Sequence, residues 1–274
     1  MGTQTWPIVR YQHGGFHRLD DVVVREEPLT LYVNDREVVT LLTLGDHPVE
    51  LALGFLRSEG FFQTREELES YRAEPGAVRV RVRRDVDALL KLMDRRVVTT
   101  GCGKGTTFYS ALDGLRTRPL PDGLRVAPGQ ILRRMQELQK RSGLYRETGG
   151  THNASLSDGE RTLCFRTDVG RHNAVDMLGG WAFLEGVDTA GTLLLTTGRV
   201  SSEILLKTAK MGCPVLVSRS APTHLALELA RDLNVTVVGY VRGERFNVYT
   251  APQRITGTDE RPTKRDKADE AGTA

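Results

Sequence analysis

Cys102 has the surroundings expected of a reactive thiol. It lies in residues 99–107 (TTGCGKGTT), with a glycine on each side and Lys104 two residues later. The glycines leave the sulfur accessible, and a nearby ammonium favours the thiolate, which is the nucleophilic form of cysteine. A thiol kept for packing is usually embedded among apolar side chains. The pattern therefore favours a nucleophilic cysteine over a glycine-rich turn that contains a cysteine by chance.

Two His-Asn-Ala triplets begin at His152 and His172, and each follows glycine closely. Both are therefore predicted in loops or at helix entries, where ligand sites are common. Asp168 and Arg171 lie next to the second triplet. One histidine is more often structural than functional, but two in matching contexts favour a ligand site. Zinc is not expected there, because neither a CxxC nor an HExxH motif accompanies them.

Residues 193–203 (LLLTTGRVSSE) predict a strand, a turn and the start of a helix. The hydroxyls of Thr197, Ser201 and Ser202 would then lie at the carboxyl end of a strand, beside the free N–H groups of a helix amino terminus. Arg199 could form a two-pronged contact with phosphate. The alternative is ordinary helix capping by Ser201 or Ser202. The residues alone leave anion binding and capping equally open.

Residues 240–251 (YVRGERFNVYTA) combine aromatic residues with arginines. Phe246 and Tyr249 could stack on a flat heterocycle such as guanine or a pterin, while Arg242 and Arg245 face phosphate. The alternative is a final edge strand whose aromatic rings pack inward. Composition alone slightly favours this edge strand.

The elements that must position these residues fall into two groups. Short β-rich runs over 21–44, a helix over 49–60, a strand over 78–82 and a helix over 86–92 predict a small α+β domain that ends near the cysteine loop. The first ~20 residues are expected to be loosely held. Residues 117–129 are rich in proline and glycine and predict a linker.

The second group alternates helices with strands. A helix over 130–141 is predicted to end at Gly143, and another to run from a cap at Ser220 to Leu233. Three apolar runs, 193–195, 215–217 and 235–241, predict the strands of a mostly parallel, covered sheet. Cys164 is expected in the core of a strand, and Cys213 as a buried thiol at a helix end.

Composition sets limits on function and location. The 274 residues carry a net charge of +3 and a pI near 8.8, which is too mild to indicate nucleic-acid binding. The chain has only three cysteines, and this small, odd number argues against a framework of disulfide bonds. It favours the reducing cytoplasm. Neither a signal-peptide pattern nor an apolar run of the roughly 18 residues of a membrane span is visible.

Taken together, the motifs closely resemble the FdhD/NarQ family over about residues 20–255. The Cys102 loop is followed, in order, by TGGTHNA (148–154), TDVGRHNAVD (167–176), TGRVSSE (197–203) and RFNVY (245–249). The resemblance implies a small N-terminal α+β domain over 1–117 and a cytidine-deaminase-like three-layer α/β domain over 118–256, without the catalytic zinc. The remaining tail, 257–274, has no aliphatic residue larger than alanine and is expected to be disordered.

The resemblance also implies a function, that of a formate dehydrogenase accessory sulfur carrier. A cysteine desulfurase would load a persulfide onto Cys102, helped by Lys104. The sulfur would then pass to the molybdenum (or tungsten) bis(molybdopterin guanine dinucleotide) cofactor destined for formate dehydrogenase. A homodimer is implied as well. The rival interpretation is a cofactor-binding chaperone in which the thiol is dispensable.

The implied cofactor site is the C-terminal motif, with weaker candidates elsewhere. The motif residues are Phe246, Asn247, Val248, Tyr249, Thr250 and Ala251; the weaker candidates are His152, His172, Thr197, Arg199, Ser201 and Ser202. The chain departs from many relatives at one position, because Gly105 stands where they carry the second cysteine of a Cys-x-x-Cys loop. A disulfide within the loop is therefore not possible, although one thiolate suffices for persulfide exchange.

Overall fold

The structure is a computed structural model that describes residues 2–87, 89 and 117–258. The predicted reactive loop with Cys102, Lys104 and Gly105 lies outside the described residues. So do most of the helix predicted over 86–92 and all but the first two residues of the predicted tail.

The first 24 residues form a long β-hairpin of β1 (Thr3–Gln12) and β2 (Gly15–Val24). Its turn, His13 and Gly14, has φ angles of 52° and 81°, as expected for a two-residue hairpin turn. The expectation of a loosely held N-terminus is wrong. β-branched and aromatic residues fill both strands, and the turn allows them to pair directly.

Residues 27–82 form a four-stranded sheet covered by one helix. Asn34 and Asp35, both at positive φ, make the turn between its first two strands. Leu31 and Val78 on the sheet and Leu53 on the helix are fully buried in the shared core. In chain order the elements are β3 (Glu27–Val33), β4 (Arg36–Thr43), α1 (Pro48–Ser58), β5 (Leu68–Glu74) and β6 (Ala77–Val82), and the strand order is β4-β3-β6-β5.

Residues 128–250 form a six-stranded sheet with helices on both faces. The strand order is β12-β11-β10-β9-β7-β8. The elements are α2 (Pro128–Arg141), α3 (Gly143–Thr148), β7 (His152–Ser157), β8 (Thr162–Asp168), α4 (Arg171–Glu185), β9 (Leu193–Thr196), α5 (Ser202–Met211), β10 (Val215–Ser218), α6 (His224–Asp232), β11 (Thr236–Arg242) and β12 (Arg245–Thr250).

Only the middle of this sheet is parallel. β9, β10 and β11 pair in parallel, as the alternation of helices and strands predicted. β7, β8 and β12 join antiparallel, so the expectation of a mostly parallel sheet is wrong. The reason is the short connections of β7 to β8 and of β11 to β12, which allow hairpins but no crossover helix.

Alternate residues of the central strands face different helices. Leu195 and Val217 lie in the core cluster that includes α2, whereas Leu194 and Leu216 lie in the cluster that includes α4, α5 and α6. This arrangement confirms a mixed α/β fold with three layers around the larger sheet. The likeness to cytidine deaminases and the division between residues 117 and 118 stay predictions.

Helix α4 belongs to both cores and joins them. Its Ala174 and Leu178 pack toward the six-stranded sheet, and its Met177 packs with the four-stranded sheet and α1. The α1 and α4 backbones nearly touch: a Cβ on Gly54 would lie 1.8 Å from the carbonyl oxygen of Asp176, and one on Gly180 would lie 1.9 Å from that of Glu50. Glycine is therefore required where these helices cross.

Two helix boundaries differ from the prediction. Gly143 does not end the helical region, because α2 stops at Arg141 and α3 begins at Gly143. Ser220 does not cap the helix before β11, because α6 starts at His224 after Thr223. Pro222 lies between Ser220 and Thr223 and pairs with Val200 in an isolated bridge, so these residues are extended rather than helical.

Candidate functional site

The candidate site lies along the edge of the larger sheet where the parallel strands β9, β10 and β11 end. β7 runs antiparallel to β9 and therefore begins at that same edge, as Ala154 opposite Thr196 shows. In sheets of this kind, ligands bind in the crevice outside the carboxyl ends of the parallel strands. Three segments separated in sequence meet there: the start of β7, the start of α4 and the turn between β9 and α5.

His152 and His172 both lie at this edge. The prediction of a loop or helix entry is confirmed for His172 and is wrong for His152, whose triplet is the start of a strand. His152 is the first residue of β7, and His172 is the second residue of α4. His172 Nε2 lies 2.9 Å from Glu203 Oε2, which is in the first turn of α5. The pair therefore connects the amino ends of two helices.

The turn between β9 and α5 is bonded to β7. Thr197 Oγ1 accepts a hydrogen bond from the amide of Asn153 at 3.0 Å, and the Thr197 amide donates to the Asn153 carbonyl at 3.0 Å. Ser201 is the N-cap of α5, and its Oγ accepts from the Ile204 amide at a long 3.5 Å. Ser201 therefore caps the helix, as the alternative interpretation predicted, and Ser202 is the first helical residue. Arg199 is exposed.

Gly198 holds the turn against α4. A Cβ at Gly198 would lie 2.9 Å from Cβ of Arg171, so a larger residue would displace the arginine stem. The Gly198 amide also donates to Thr196 Oγ1 at 3.1 Å, and its carbonyl accepts from Ser218 Oγ at 2.7 Å. The stem of Arg171 is therefore packed against the turn that carries Arg199.

The electrostatic environment of His152 is positive. Burial lowers the pKa of this half-buried imidazole, and the nearby charges of Arg171, His172 and Arg199 lower it further. Asp168 acts in the opposite direction with a smaller effect. The imidazole is consequently neutral at physiological pH and surrounded by cationic groups.

Asp168, which the sequence placed beside the second histidine, has a structural role. Its fully buried carboxylate accepts from Thr43 Oγ1 at 2.5 Å and from the Leu44 amide at 3.0 Å. The Gly170 amide and Asn173 Nδ2 donate to its other oxygen at 2.9 and 2.7 Å. The carboxylate thus joins the end of β4 to the start of α4.

Sequence reasoning did not select Arg171 or Asn153 as site residues. Asn153 is fully buried and accepts from Thr167 Oγ1 at 2.6 Å, while its Nδ2 has no hydrogen-bond partner within the described ranges. Buried donors are normally paired, so this amide can still donate to water or to a ligand. Both residues lie inside the motifs that carried the family resemblance, which is the signal that could have identified them.

The C-terminal motif forms the edge strand β12, which is the alternative that composition favoured. Phe246 and Val248 pack toward the α2 side of the sheet, and Tyr249 toward the opposite side. The rings of Phe246 and Tyr249 therefore do not share one stacking surface. Asn247 Nδ2 donates to Tyr249 Oη at 3.3 Å, and the Tyr249 ring covers Gly239, where a Cβ would lie 2.9 Å from Cε2 of the ring.

The last two motif residues hold β12 in place. Thr250 Oγ1 donates to the Val235 carbonyl at 2.8 Å and accepts from the Val237 amide at 3.0 Å. The carbonyl of Ala251 accepts from Thr236 Oγ1 at 2.8 Å. In this arrangement Asn247 and Tyr249 remain the motif side chains best placed to meet a ligand on the α6 side of the sheet.

Comparison with known proteins decides the family. A sequence profile of the FdhD/NarQ family matches residues 24–256. The chain belongs to the FdhD/NarQ family.

Relatives of this FdhD/NarQ member match along nearly their whole length. Sulfur carrier protein FdhD of Bacillus subtilis (strain 168) is 40% identical over 250 residues, covering 90% of this chain and 95% of the relative. The protein of the same name from Staphylococcus aureus (strain MRSA252) is 40% identical over 256 residues, covering 93% and 97%. A crystal structure from Desulfotalea psychrophila, assigned as a formate dehydrogenase accessory protein, superposes with a TM-score of 0.76 at 30% identity, covering 92% of this chain and 99% of that one.

Two of the three cysteines of this FdhD/NarQ member are unsuited to thiolate chemistry. Cys164 and Cys213 are both buried, as predicted. Burial raises the pKa of Cys164 to about 12 and that of Cys213 to about 11. Cys213 Sγ also donates to the Thr192 carbonyl at 3.1 Å. Both thiols are therefore protonated and shielded at neutral pH.

Other features of the structure lie apart from this edge. A groove of about 600 Å³ at the end of α4 is lined by Arg65, Phe183 and Asp188 among others, and by none of the predicted site residues that the structure describes. Within residues 2–87 and 117–258, three His, Cys, Asp or Glu side chains do not come together as a metal site. In the same ranges, every helix is too short or too polar to cross a membrane.

Proposed function

We propose that this protein is a cytoplasmic sulfur carrier required for formate dehydrogenase activity. It accepts persulfide sulfur from a cysteine desulfurase on Cys102 and transfers it to the molybdenum or tungsten bis(molybdopterin guanine dinucleotide) cofactor before that cofactor enters formate dehydrogenase. One observation carries the proposal. Burial keeps Cys164 and Cys213 protonated, whereas Cys102 lies between glycines with Lys104 close in sequence. The names of the relatives support the same assignment.

The transfer of sulfur from the desulfurase cysteine to Cys102 conserves atoms and electrons, so it needs no added oxidant. The Cys102 thiolate attacks the outer sulfur of the desulfurase persulfide, and the sulfur–sulfur bond to the desulfurase cysteine breaks. That cysteine leaves as a thiolate, and Cys102 becomes the persulfide. On delivery, the sulfur–sulfur bond of the persulfide breaks and its electron pair stays on Cys102, which is regenerated as the thiolate. The outer sulfur is bound by an electron pair that the client cofactor supplies. Lys104 favours the anionic form before and after loading.

The client cofactor binds along the edge of the six-stranded sheet. Asn247 and Tyr249 are on β12, and His152 is on β7, four strand positions away. With neighbouring strands about 4.8 Å apart, the two groups are separated by roughly 19 Å. A cofactor that carries two guanine dinucleotide arms is long enough to contact both. Residues 246–251, which the resemblance implies as the cofactor site, and the residues around His152 at the other end of the edge would then form one extended site.

The protein acts as a homodimer, and the N-terminal hairpin is the interface we assign to the second copy. Tyr11 and Phe16 pair at its tip with ring centroids 5.2 Å apart, yet they are 65% and 77% exposed. A two-stranded hairpin alone is marginally stable in water. Arg18 and Asp20 lie on the same face as these rings. Two copies related by a two-fold axis can therefore match apolar with apolar and positive with negative charge.

The sulfur relay is tested by the mass of the loaded protein. Purified protein is incubated with a cysteine desulfurase and cysteine, and intact mass is recorded for wild type, Cys102→Ala and the matched control Cys164→Ala. We expect an adduct of about 32 Da, one sulfur atom, on wild type and on the control but not on Cys102→Ala.

An adduct on Cys102→Ala, or none on wild type with a desulfurase shown to be active, contradicts the relay. The protein would then be a cofactor-binding chaperone. In that case Cys102→Ala supports formate dehydrogenase activity, while changes at Asn247 or Tyr249 abolish it.

A further inference from the structure

The groove of about 600 Å³ at the end of α4 has two arginines and an aromatic ring in its walls. Arg57 is in the last turn of α1, Arg65 is in the turn before β5, and Phe183 is near the end of α4. The guanidinium carbon of Arg57 lies 5.5 Å from the centroid of the Phe183 ring, and that of Arg65 lies 5.7 Å from it. Two cations therefore converge on one partly buried ring.

Within the described part of the chain, these two guanidinium groups contact carbonyl oxygens and the ring, and neither pairs with a carboxylate. Arg57 Nε donates to the Gln63 carbonyl at 3.2 Å. Arg65 Nη1 donates to the carbonyls of Phe183 and Leu184 at 3.5 and 3.3 Å. Burial lowers the pKa of Arg57, as expected for a half-buried cation that lacks a counter-ion. Both cations are therefore available to a carboxylate from outside the chain.

The acidic side chains of the groove come from a different segment. Glu185 is the last residue of α4, and Asp188 is in the turn that follows; both are exposed. Asp188 Oδ1 accepts a hydrogen bond from the Ala190 amide at 2.9 Å. The groove thus combines cationic and anionic side chains with an aromatic ring. Arginine and aromatic residues are the usual anchors of protein–protein interfaces, so this composition favours a protein segment as the occupant.

The groove lies on the same core as the start of the segment that carries Cys102. Leu89 is the last described residue before that segment, and it packs on the core formed by the four-stranded sheet and α1. Phe183 and Leu184 pack on this core as well. A protein bound in the groove is therefore held beside the point where the chain leaves toward Cys102.

We propose that this groove docks the cysteine desulfurase that loads Cys102, through an extended acidic segment whose carboxylate lies between Arg57 and Arg65. Phe183 supplies the apolar anchor, and Glu185 and Asp188 accept a basic side chain of the same segment. Complementary charges of this kind fix the register of a partner and speed its association. Naming the partner as the desulfurase rests on the proposed function, whereas the docking surface rests on the contacts of the groove.

The docking surface is tested by calorimetric titration with a purified cysteine desulfurase. We expect Arg65→Glu and Arg57→Gln each to raise the dissociation constant by at least about tenfold, because the partner carboxylate loses a cation. Arg65→Lys keeps the charge but not the planar group, so its affinity should fall between those of wild type and Arg65→Glu. The matched control is Arg133→Glu, an exposed position on α2 at the opposite face of the six-stranded sheet, which should bind like wild type.

Unfolding curves are measured for every variant, so that a folding defect is not read as lost binding. Failure of wild type to bind, or equal affinity of wild type and of folded Arg65→Glu and Arg57→Gln, overturns the docking surface. Dissociation of the dimer by Arg65→Glu would mean that a second copy of the chain occupies the groove, which overturns it as well.

Persulfide loading by the desulfurase and by a small-molecule persulfide is measured on the same samples. We expect Arg65→Glu to raise the KM for loading by the desulfurase and to leave loading by the small molecule unchanged. Equal loss of both reactions would show damage at Cys102 itself and contradict docking. Wild type that binds the desulfurase but is loaded by neither donor contradicts the sulfur relay and leaves the docking result standing.

Discussion

Individual residues at the carboxyl edge of the sheet divide into those that hold the edge together and those that remain for a ligand. Asp168 illustrates the first kind, because its four hydrogen bonds tie β4 to α4. Thr250 is similar, since its hydroxyl bonds to the backbone of Val237 in β11 and of Val235 just before it. Arg199 illustrates the second kind, because its side chain is exposed at the edge and its charge adds to the positive potential at His152. Side-chain chemistry alone does not separate these roles.

His152 should make stability depend on pH. Its pKa in the folded protein lies below the ordinary value of 6.5, mainly because of burial. The unfolded chain therefore binds more protons as the pH falls through that value, so the free energy of unfolding is highest above it and declines below it. Replacing His152 with Gln should make the free energy of unfolding fall less steeply between about pH 7 and pH 5. The change in slope corresponds to at most about one bound proton.

The measurement is denaturant unfolding of wild type and His152→Gln across that pH range. His224→Gln, which changes an exposed histidine on α6, serves as the control and should keep the wild-type pH profile. Identical pH profiles for wild type and His152→Gln would mean that the imidazole does not titrate abnormally.

At the scale of elements, the crossing of α1 and α4 is what brings the smaller sheet to the site. α4 starts at the site with Arg171 and continues into the core of the four-stranded sheet. Glu50 on α1 adds a two-pronged ion pair with Arg166 on β8, with distances of 2.5 and 2.6 Å. Lys207 on α5 contacts Asp176 on α4 and Ser58 on α1 at 2.7 to 2.8 Å. Burial raises the pKa of Asp176, and the Lys207 ammonium opposes that rise.

Adjacent glycines on α4 should respond differently to alanine. A Cβ on Gly180 would lie 1.9 Å from the backbone oxygen of Glu50, so the helices must separate. We expect Gly180→Ala to lower the free energy of unfolding by about 3 kcal/mol or more. A Cβ on Gly179 would meet the terminal methyl of Met211 at 3.3 Å, which can move, and Cα of Gly54 at 4.0 Å, which is an ordinary contact distance. Gly179→Ala should therefore be neutral or stabilising by up to about 1 kcal/mol, because alanine favours helix.

Chemical denaturation of the two variants checks this contrast. Equal stability of Gly179→Ala and Gly180→Ala would show that the two helices are not in backbone contact at this crossing.

At the scale of the whole molecule, two sheets share one helix and a hairpin projects from them. The hairpin contributes nothing to the three buried cores, and its tip rings Tyr11 and Phe16 are the most exposed large apolar side chains described. Exposed apolar surface of this kind usually marks an interaction site. The proposed dimer gives that surface a partner without using the site at the sheet edge.

Replacing both Tyr11 and Phe16 with Ser should convert the dimer to monomer while the monomer stays folded, because these side chains have few contacts within the chain. Sedimentation equilibrium measures the change. The control replaces Gln4 and Gln12, which lie on the other face of the hairpin, with Ser and should leave the dimer intact. A wild-type protein that is monomeric at all concentrations, or a dimeric Tyr11→Ser/Phe16→Ser variant, contradicts this interface.

Much of the architecture was predictable from local patterns in the sequence. Apolar runs and turn residues predicted the strands β3, β4, β6, β9, β10 and β11 and the helices α1 and α2 within a few residues, but they did not predict β5 or β7. Those patterns act between neighbours in the chain, so they are visible without the fold. The ordered motifs around His152, His172, Thr197 and Phe246 predicted the family, which the comparisons confirm. The burial of Cys164 was also predictable from its neighbours Leu163 and Phe165, and that of Cys213 from its position at a helix end.

The tertiary structure decided which residues meet. Strand direction depends on how connections cross the sheet, so the antiparallel β7, β8 and β12 could not be derived from apolar runs. The close approach of Gly54 and Gly180 to backbone on the other helix exists only once α1 and α4 are packed. Arg171 joins Arg199 and His152 because residues distant in sequence end at one sheet edge. A sequence specifies the charge of each such group, whereas the potential they create together depends on distances that only folding sets.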